Sequence, residues 1–236
     1  MEEAIAGFPF LFGLLASIIH VISGPDHLAA VSPIALRAPR RAWMIGFSWG
    51  IGHLTGMLLI GLLFFFFRDL FPIELISDNS EKIVGVMLIA IGIWAWIKLI
   101  PKHGHHTHDH AHVDETGEAF VHRHEHHHQH QHTLSEAERQ SWYAALGIGI
   151  LHGLAGVSHI VSLLPTLAFE TNSEAVFYLI GFGAGTIVAM VAFAFIMGLI
   201  SRSASHDHKH RLLTYINGVA GLAAIAVGIF WIINTW

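Results

Sequence analysis

Cysteine is missing from all 236 positions. Its absence excludes disulfides, thiolate metal sites and cysteine nucleophiles. Charge is scarce as well: Asp, Glu, Lys and Arg make up 12% of the residues, about half of what a soluble domain carries. No G-x-x-x-x-G-K-[ST] loop occurs, which excludes ATP hydrolysis by the P-loop route. A basic leader is lacking too. "MEEAIAG" is acidic, so the first apolar run is expected to be retained and not cleaved as a signal peptide.

What is present is grease, with 53% of residues hydrophobic. Apolar runs cover roughly 8–36, 42–67, 82–100, 144–169, 175–200 and 212–234, each near or above the ~20 residues that cross a bilayer. The expectation is an all-α polytopic membrane protein with six transmembrane helices. Lys and Arg sort by side. Arg37, Arg40, Arg41, Lys98, Lys102, Arg123, Arg139, Arg202, Lys209 and Arg211 fall in or near alternate loops, against Arg68 and Lys82 on the other side. The positive-inside rule then puts both termini outside and the loop at 102–140 in the cytoplasm of a cell inner or plasma membrane.

The halves resemble each other. At an offset of 132, "HVISGPDHLAAVSPIAL" aligns with "HGLAGVSHIVSLLPTLA", so that His20 meets His152, Gly24 meets Gly156 and His27 meets His159. "GFSWG" aligns with "GFGAG", and "GVMLIAIGIW" with "GLAAIAVGIF". Residues 1–101 and 141–236 are thus expected to be two three-helix repeats. An odd number of crossings per repeat inverts the second, as in many secondary transporters whose broken helices meet at the midplane.

"HVISGPDHLAAV" carries the candidate chemistry. His20 and His27 are seven residues apart and would share a helix face. Gly24 and Pro25 between them, like Gly156 in the second half, mark a kink or break of the first helix. Asp26 is costly in lipid, ~2.5–3.5 kcal/mol on the insertion scale, and by default marks an ion site. A divalent cation compensates that charge. Imidazole and carboxylate without thiolate suit nickel, cobalt, zinc or copper(II), and suit calcium or magnesium poorly. The metal set is read as His20, Asp26, His27 and, from the next helix, His53 in "GIGHLTG". His152 and His159, with Ser158 where the first half has Asp26, are candidates for a second site or a pathway. Gly46, Gly50, Gly52, Gly56, Gly181 and Gly185 are assigned only close helix packing.

The loop at 102–140 holds His103, His105, His106, His108, His110, His112, His122, His124, His126, His127, His128, His130 and His132. Its polar composition cannot bury enough surface to fold alone, so disorder without metal is expected. So many imidazoles make weak, exchanging metal sites that could collect ions; the bland alternative is a pH-responsive or solvating loop.

"HVISGPDHLAAV" is similar to the H-P-x-x-G-x-D-H-L signature of the HupE/UreJ-type hydrogenase/urease accessory nickel permeases, through His20, Gly24, Asp26, His27 and Leu28, with Val21 in place of the proline. "GFSWGIGHLTG" resembles the F-S-x-G-H-[ST] helix of the nickel/cobalt transporter superfamily, with His53 as its histidine. The resemblance implies transport of nickel or cobalt with His20, Asp26 and His27 as a metal site. The reading is therefore a non-enzymatic transporter of Ni2+, alternatively Co2+ or Zn2+, with no prosthetic group. Expected partners are the lipid bilayer and metallochaperones or nickel-enzyme maturation proteins, and no nucleic acid. The rivals are an efflux protein for the same metals and, more remotely, a His-box intramembrane metalloenzyme.

Overall fold

The computed structural model describes residues 2–67, 73–100, 106–113, 119–126, 134–154, 164–206 and 210–234. The elements are α1 (Glu2–Ser23), α2 (Pro25–Ala35), α3 (Ala42–Phe67), α4 (Ile73–Ile97), β1 (His106–Val113), β2 (Ala119–His126), α5 (Leu134–Leu154), a 3-10 turn (Leu164–Ala168), α6 (Asn172–His206) and α7 (His210–Asn234). Ala42–Leu63, Asn172–Ala204 and Arg211–Asn234 are each long and apolar enough to cross a membrane. Phe8–Ser23 and Pro25–Ala35 qualify together as one broken span, bent by 73°. Lys82–Ile97 is a shorter apolar helix, and the apolar run of α5 extends in sequence beyond its described end. This is a multi-pass, helical membrane protein.

The outside of α1 shows why the solvent around it is lipid. Phe8, Leu11, Leu15, Ile19 and Ile22 recur at helical spacing and are 56–70% exposed. In water such a stripe would be an aggregation surface; in hydrocarbon it costs nothing. The polar residues turn inward instead, with Ser17 and Ser48 buried.

The α1–α2 break follows from its sequence. Pro25 lacks an N–H and would clash with the carbonyl one turn back, and it pushes the residue before it out of helical dihedrals. Gly24 takes an extended conformation (φ −89°, ψ 97°) and is the N-cap of α2, with Pro25 in the first turn, the helix position that proline tolerates best. Gly24 N–H still reaches the His20 carbonyl at 3.0 Å, so α1 closes normally before the chain turns.

Three helix pairs dominate the packing: α1 with α6, α3 with α5, and α4 with α7. Close glycine contacts give their directions. Gly181 and Gly185 abut the backbone at Phe10 and Leu14, so α1 and α6 run parallel. Gly52 and Gly56 abut Leu146 and Ile150, making α3 and α5 parallel as well. Gly85 meets Gly228 and Gly92 meets Gly221, so α4 and α7 run antiparallel. Exchanging α1, α3 and α4 for α5, α6 and α7 maps this set of pairs onto itself. The main buried cluster, with Val21, Val31, Ile34, Ile45, Trp49 and Met190, lies where α1, α2, α3 and α6 meet.

Within the loop at 102–140 the residues described before α5 are two strands. β1 and β2 pair antiparallel as a two-stranded ribbon, with His106 opposite His126 and Val113 opposite Ala119. Composition argued against a packed core and still does. Strict alternation in "HTHDHAHV" and "AFVHRHEH" is nevertheless a strand period, and averaging over composition hides it.

Candidate metal centre

Four helices bring five polar side chains into one buried cluster. α1 supplies His20 in its last turn. α2 supplies Asp26 and His27 from its first turn, α3 supplies His53, and α5 supplies His152 in its last turn. Asp26 is 6% exposed, His27 2%, and His53 and His152 0%. His20, at the edge of the cluster, is partly exposed.

Asp26 is its hub. One carboxylate oxygen lies 2.9 Å from His27 Nδ1, and the other lies 3.1 Å from His152 Nε2. An ionised carboxylate only accepts, so both rings donate to it. That fixes their tautomers and puts a lone pair on the opposite nitrogen of each. Carboxylate–imidazole pairs of this kind orient metal ligands and raise their basicity. Placement in the first turn of α2 adds the positive end of a helix dipole beside the carboxylate. The last-turn positions of His20 and His152 present the negative ends of two others, which favour a cation.

The rings crowd together around His27. Its centroid lies 4.9 Å from His20, 5.2 Å from His53 and 4.7 Å from His152. Two sets of three could each hold an ion, His20–His27–His53 and Asp26–His27–His152, with candidate ligand atoms within 4.8 Å of one another in each. His27 belongs to both. Imidazole–metal bonds are ~2.0–2.1 Å, so ligand atoms shared by one ion lie at most ~4.2 Å apart.

The sequence-derived set His20, Asp26, His27 and His53 is brought together in full. His152, expected at a second site or along a pathway, sits instead in the same cluster. Ser158 in place of an aspartate had suggested a weaker, separate site, but Asp26 bonds to histidines from both halves. His159, Ser158 and Gly156 lie outside the described residues. So do His103, His105, His127, His128, His130 and His132 of the loop.

Trp49 went unassigned in the sequence. It is fully buried, stacks on His53 at 4.8 Å with 12° between planes, and lies 5.4 Å from both His27 and His152. Its signal was available: it stands four residues before His53, one turn away on the same face. The glycines do more than expected. Gly52 and Gly56 abut α5, while Gly149 and Gly153 abut the backbone at Trp49 and His53. That backbone contact between α3 and α5 brings His53 and His152 within 5.5 Å of each other.

A cavity of about 850 Å³ opens between α2, α4 and α5. Ile34, Ile91 and Ile148 line it together with Arg37, Arg40 and Lys98, and among the described residues no carboxylate lines it. Ile148 stands one helical turn from His152 on α5. The Arg37 guanidinium lies 5.3 Å over the Trp94 ring at its edge.

The fold is that of a multi-pass membrane protein, and a buried carboxylate ringed by imidazoles stands at its helix break. The chain belongs to the family of the cytochrome c biogenesis protein transmembrane region, whose model matches residues 8–230. It is 29% identical over 209 residues to urease accessory protein UreH of Bacillus sp. (strain TB-90), covering 87% of this chain and 83% of that one. It is also similar to two Arabidopsis thaliana proteins, Chloroplast protein FOR GROWTH AND FERTILITY 1 and 2, at 28% and 30% identity over 223 residues. The chain spans 58% and 55% of the length of those plant relatives. No solved structure matches it.

Proposed function

We propose that this protein carries a divalent transition-metal ion across a membrane, with nickel as first substrate and cobalt as second, and that it is closest in function to the HupE/UreJ-type nickel permeases. The supporting observation is the cluster itself: Asp26, anionic and buried, held by His27 and His152, with His20 and His53 completing two overlapping ligand sets. An all-imidazole and carboxylate donor set matches nickel, cobalt or zinc better than the alkaline earths. The similarity to a urease accessory protein supports nickel.

The ion binds partly or wholly dehydrated. Asp26 offsets half of its charge, and His27, common to both sets, hands it between His20–His53 and His152 by exchange of one ligand at a time. Six crossings in two inverted repeats, with the second carrying α5 to α7, would let one half rock against the other about this point. The self-mapping helix pairs support that architecture. The cationic rim of Arg37, Arg40 and Lys98 supports a cytoplasmic location for that end. An inside-negative potential draws a dication inward by ~4.6 kcal/mol per 100 mV, twice the single-charge value, which favours uptake over efflux. The histidine-rich loop collects metal on the same side.

The test is metal flux into proteoliposomes containing the pure protein, beside Asp26→Asn and His27→Ala. Nickel-dependent flux that both substitutions abolish is expected. No flux from the unaltered chain would remove the transport reading, and equal flux from all three would remove the site.

A further inference from the structure

The cavity between α2, α4 and α5 has two kinds of wall, and the metal cluster accounts for neither. Ile34, Met87, Ala90, Ile91, Ala144 and Ile148 make one part of it apolar. Arg37 and Arg40, from the turn after α2, and Lys98, just past α4, make the other part cationic. These cations gather at one end because α2 and α4 run side by side. Ala29 and Ala30 pack with Leu88, and further along the same two helices Arg37 reaches the Ala95 carbonyl. Among the described residues no carboxylate lines the cavity, so nothing there neutralises the three charges. A dication is repelled from such a rim and an anion is drawn to it.

Arg37 is prepared for an anion. Its guanidinium lies over the Trp94 ring at 5.3 Å. Its Nη2 makes only a long contact of 3.5 Å to the Ala95 carbonyl, and its buried Nε has no hydrogen-bond partner. A planar fork with donors to spare matches the oxygens of a phosphate.

The apolar part says what the anion is attached to. From Met87 to Lys98 the cavity follows α4 for about 16 Å at 1.5 Å per residue. That is roughly half of a ~30 Å hydrocarbon core, the depth of one leaflet. Ala90, Trp94 and Ala144 on its walls are exposed, and alanine at two of these positions leaves the gap between α4 and α5 open. A basic pocket between transmembrane helices is a known form of anionic headgroup site.

We propose that this cavity binds an anionic phospholipid, with its phosphate on Arg37, Arg40 and Lys98 and one acyl chain along Met87, Ile91 and Ile148. A free phosphate shares the headgroup chemistry but has no use for the apolar wall. The site is separate from the Asp26 cluster and does not rest on the transport reading.

The test uses the full chain in a neutral detergent. Phosphatidylglycerol and phosphatidylcholine with identical chains are titrated in turn, and bound lipid is counted by native mass spectrometry. Phosphatidylglycerol is expected to bind as one tight copy, at least tenfold tighter than phosphatidylcholine. Arg37→Gln, Arg40→Gln and Lys98→Gln together should abolish that preference. Arg211→Gln, at an exposed cation outside the cavity, should preserve it. Ala144→Phe fills the apolar part and keeps every cation, and should weaken phosphatidylglycerol at least tenfold. Equal binding of the two lipids by the unaltered chain would overturn the site, a comparison that needs no variant to fold. A preference that survives the triple substitution would overturn it too. Tight binding of inorganic phosphate, unchanged by Ala144→Phe, would assign the cations to a soluble anion instead. No readout involves nickel, so failure here leaves the transport reading standing.

Discussion

The protein holds histidine in two opposite ways. Around Asp26 stand four histidines from four helices, three of them buried and His20 partly so, ordered by a carboxylate that touches two of them. In the ribbon, seven histidines lie within twenty-one residues, at alternate positions of two neighbouring strands. The first arrangement depends on tertiary packing and on a single charge; the second depends on local period and strand pairing. The difference teaches that histidine density is a poor guide to where packing fixes donor side chains. In the cluster the donors are few, and their positions are over-determined by the helices that carry them.

That comparison breaks most readily at Asp26. Asp26→Asn removes the charge that offsets a dication and the acceptor that orients two rings. Loss of a single orienting partner typically costs 10–100-fold in metal affinity. With two rings released, flux is expected to fall by roughly 100-fold or more, read as initial rate of nickel entry into proteoliposomes. If the ribbon governs transport instead, this substitution will leave most of the rate.

The next effect tests whether packing sets the cluster. Gly153→Leu would drive a side chain into the backbone of α3 beside His53. Overpacking of this kind costs about 1–3 kcal/mol and should lower the thermal midpoint in detergent together with nickel binding. Gly147→Leu, which meets nothing within 4 Å, is the matched control and should change neither.

A smaller effect separates one site from two. His20→Ala and His152→Ala are each expected to weaken nickel binding by about tenfold, and the double variant by less than the product, because they share His27 through overlapping ligand sets. Independent sites would give a strictly multiplicative loss. Binding is best measured with the loop histidines removed, so that only the cluster reports.

Deleting residues 104–132 should have the smallest effect on flux. The apparent affinity drops a few-fold while the maximal rate stays measurable, because collection is lost and the crossing is not. Complete loss would make the ribbon part of the pathway and erase the distinction drawn above.

Much of the cluster could be read from the chain because the membrane makes polarity conspicuous. Asp26 and its flanking histidines stand out in an apolar run, and the Gly24–Pro25 break follows from the missing N–H and the ring clash of proline. His53 stood out for the same reason. Trp49 did not, since an aromatic residue in an apolar helix carries no contrast, and only its one-turn spacing from His53 pointed to it. His152 was visible too, but its bond to Asp26 was not, because Ser158 in the aligned position drew attention to the second half's lack of a carboxylate of its own.

Sequence alone thus determined the solvent, the break and the donor types, for these follow from local composition, dihedral limits and the cost of charge in hydrocarbon. Only the tertiary structure decided that one aspartate serves histidines from both halves. That depends on α3 and α5 approaching to backbone contact at Gly52, Gly56, Gly149 and Gly153, a distance fixed by packing between segments 97 residues apart. Register decided the ribbon in the same way: alternation was written in each strand, but which histidine faces which was settled only when the strands paired.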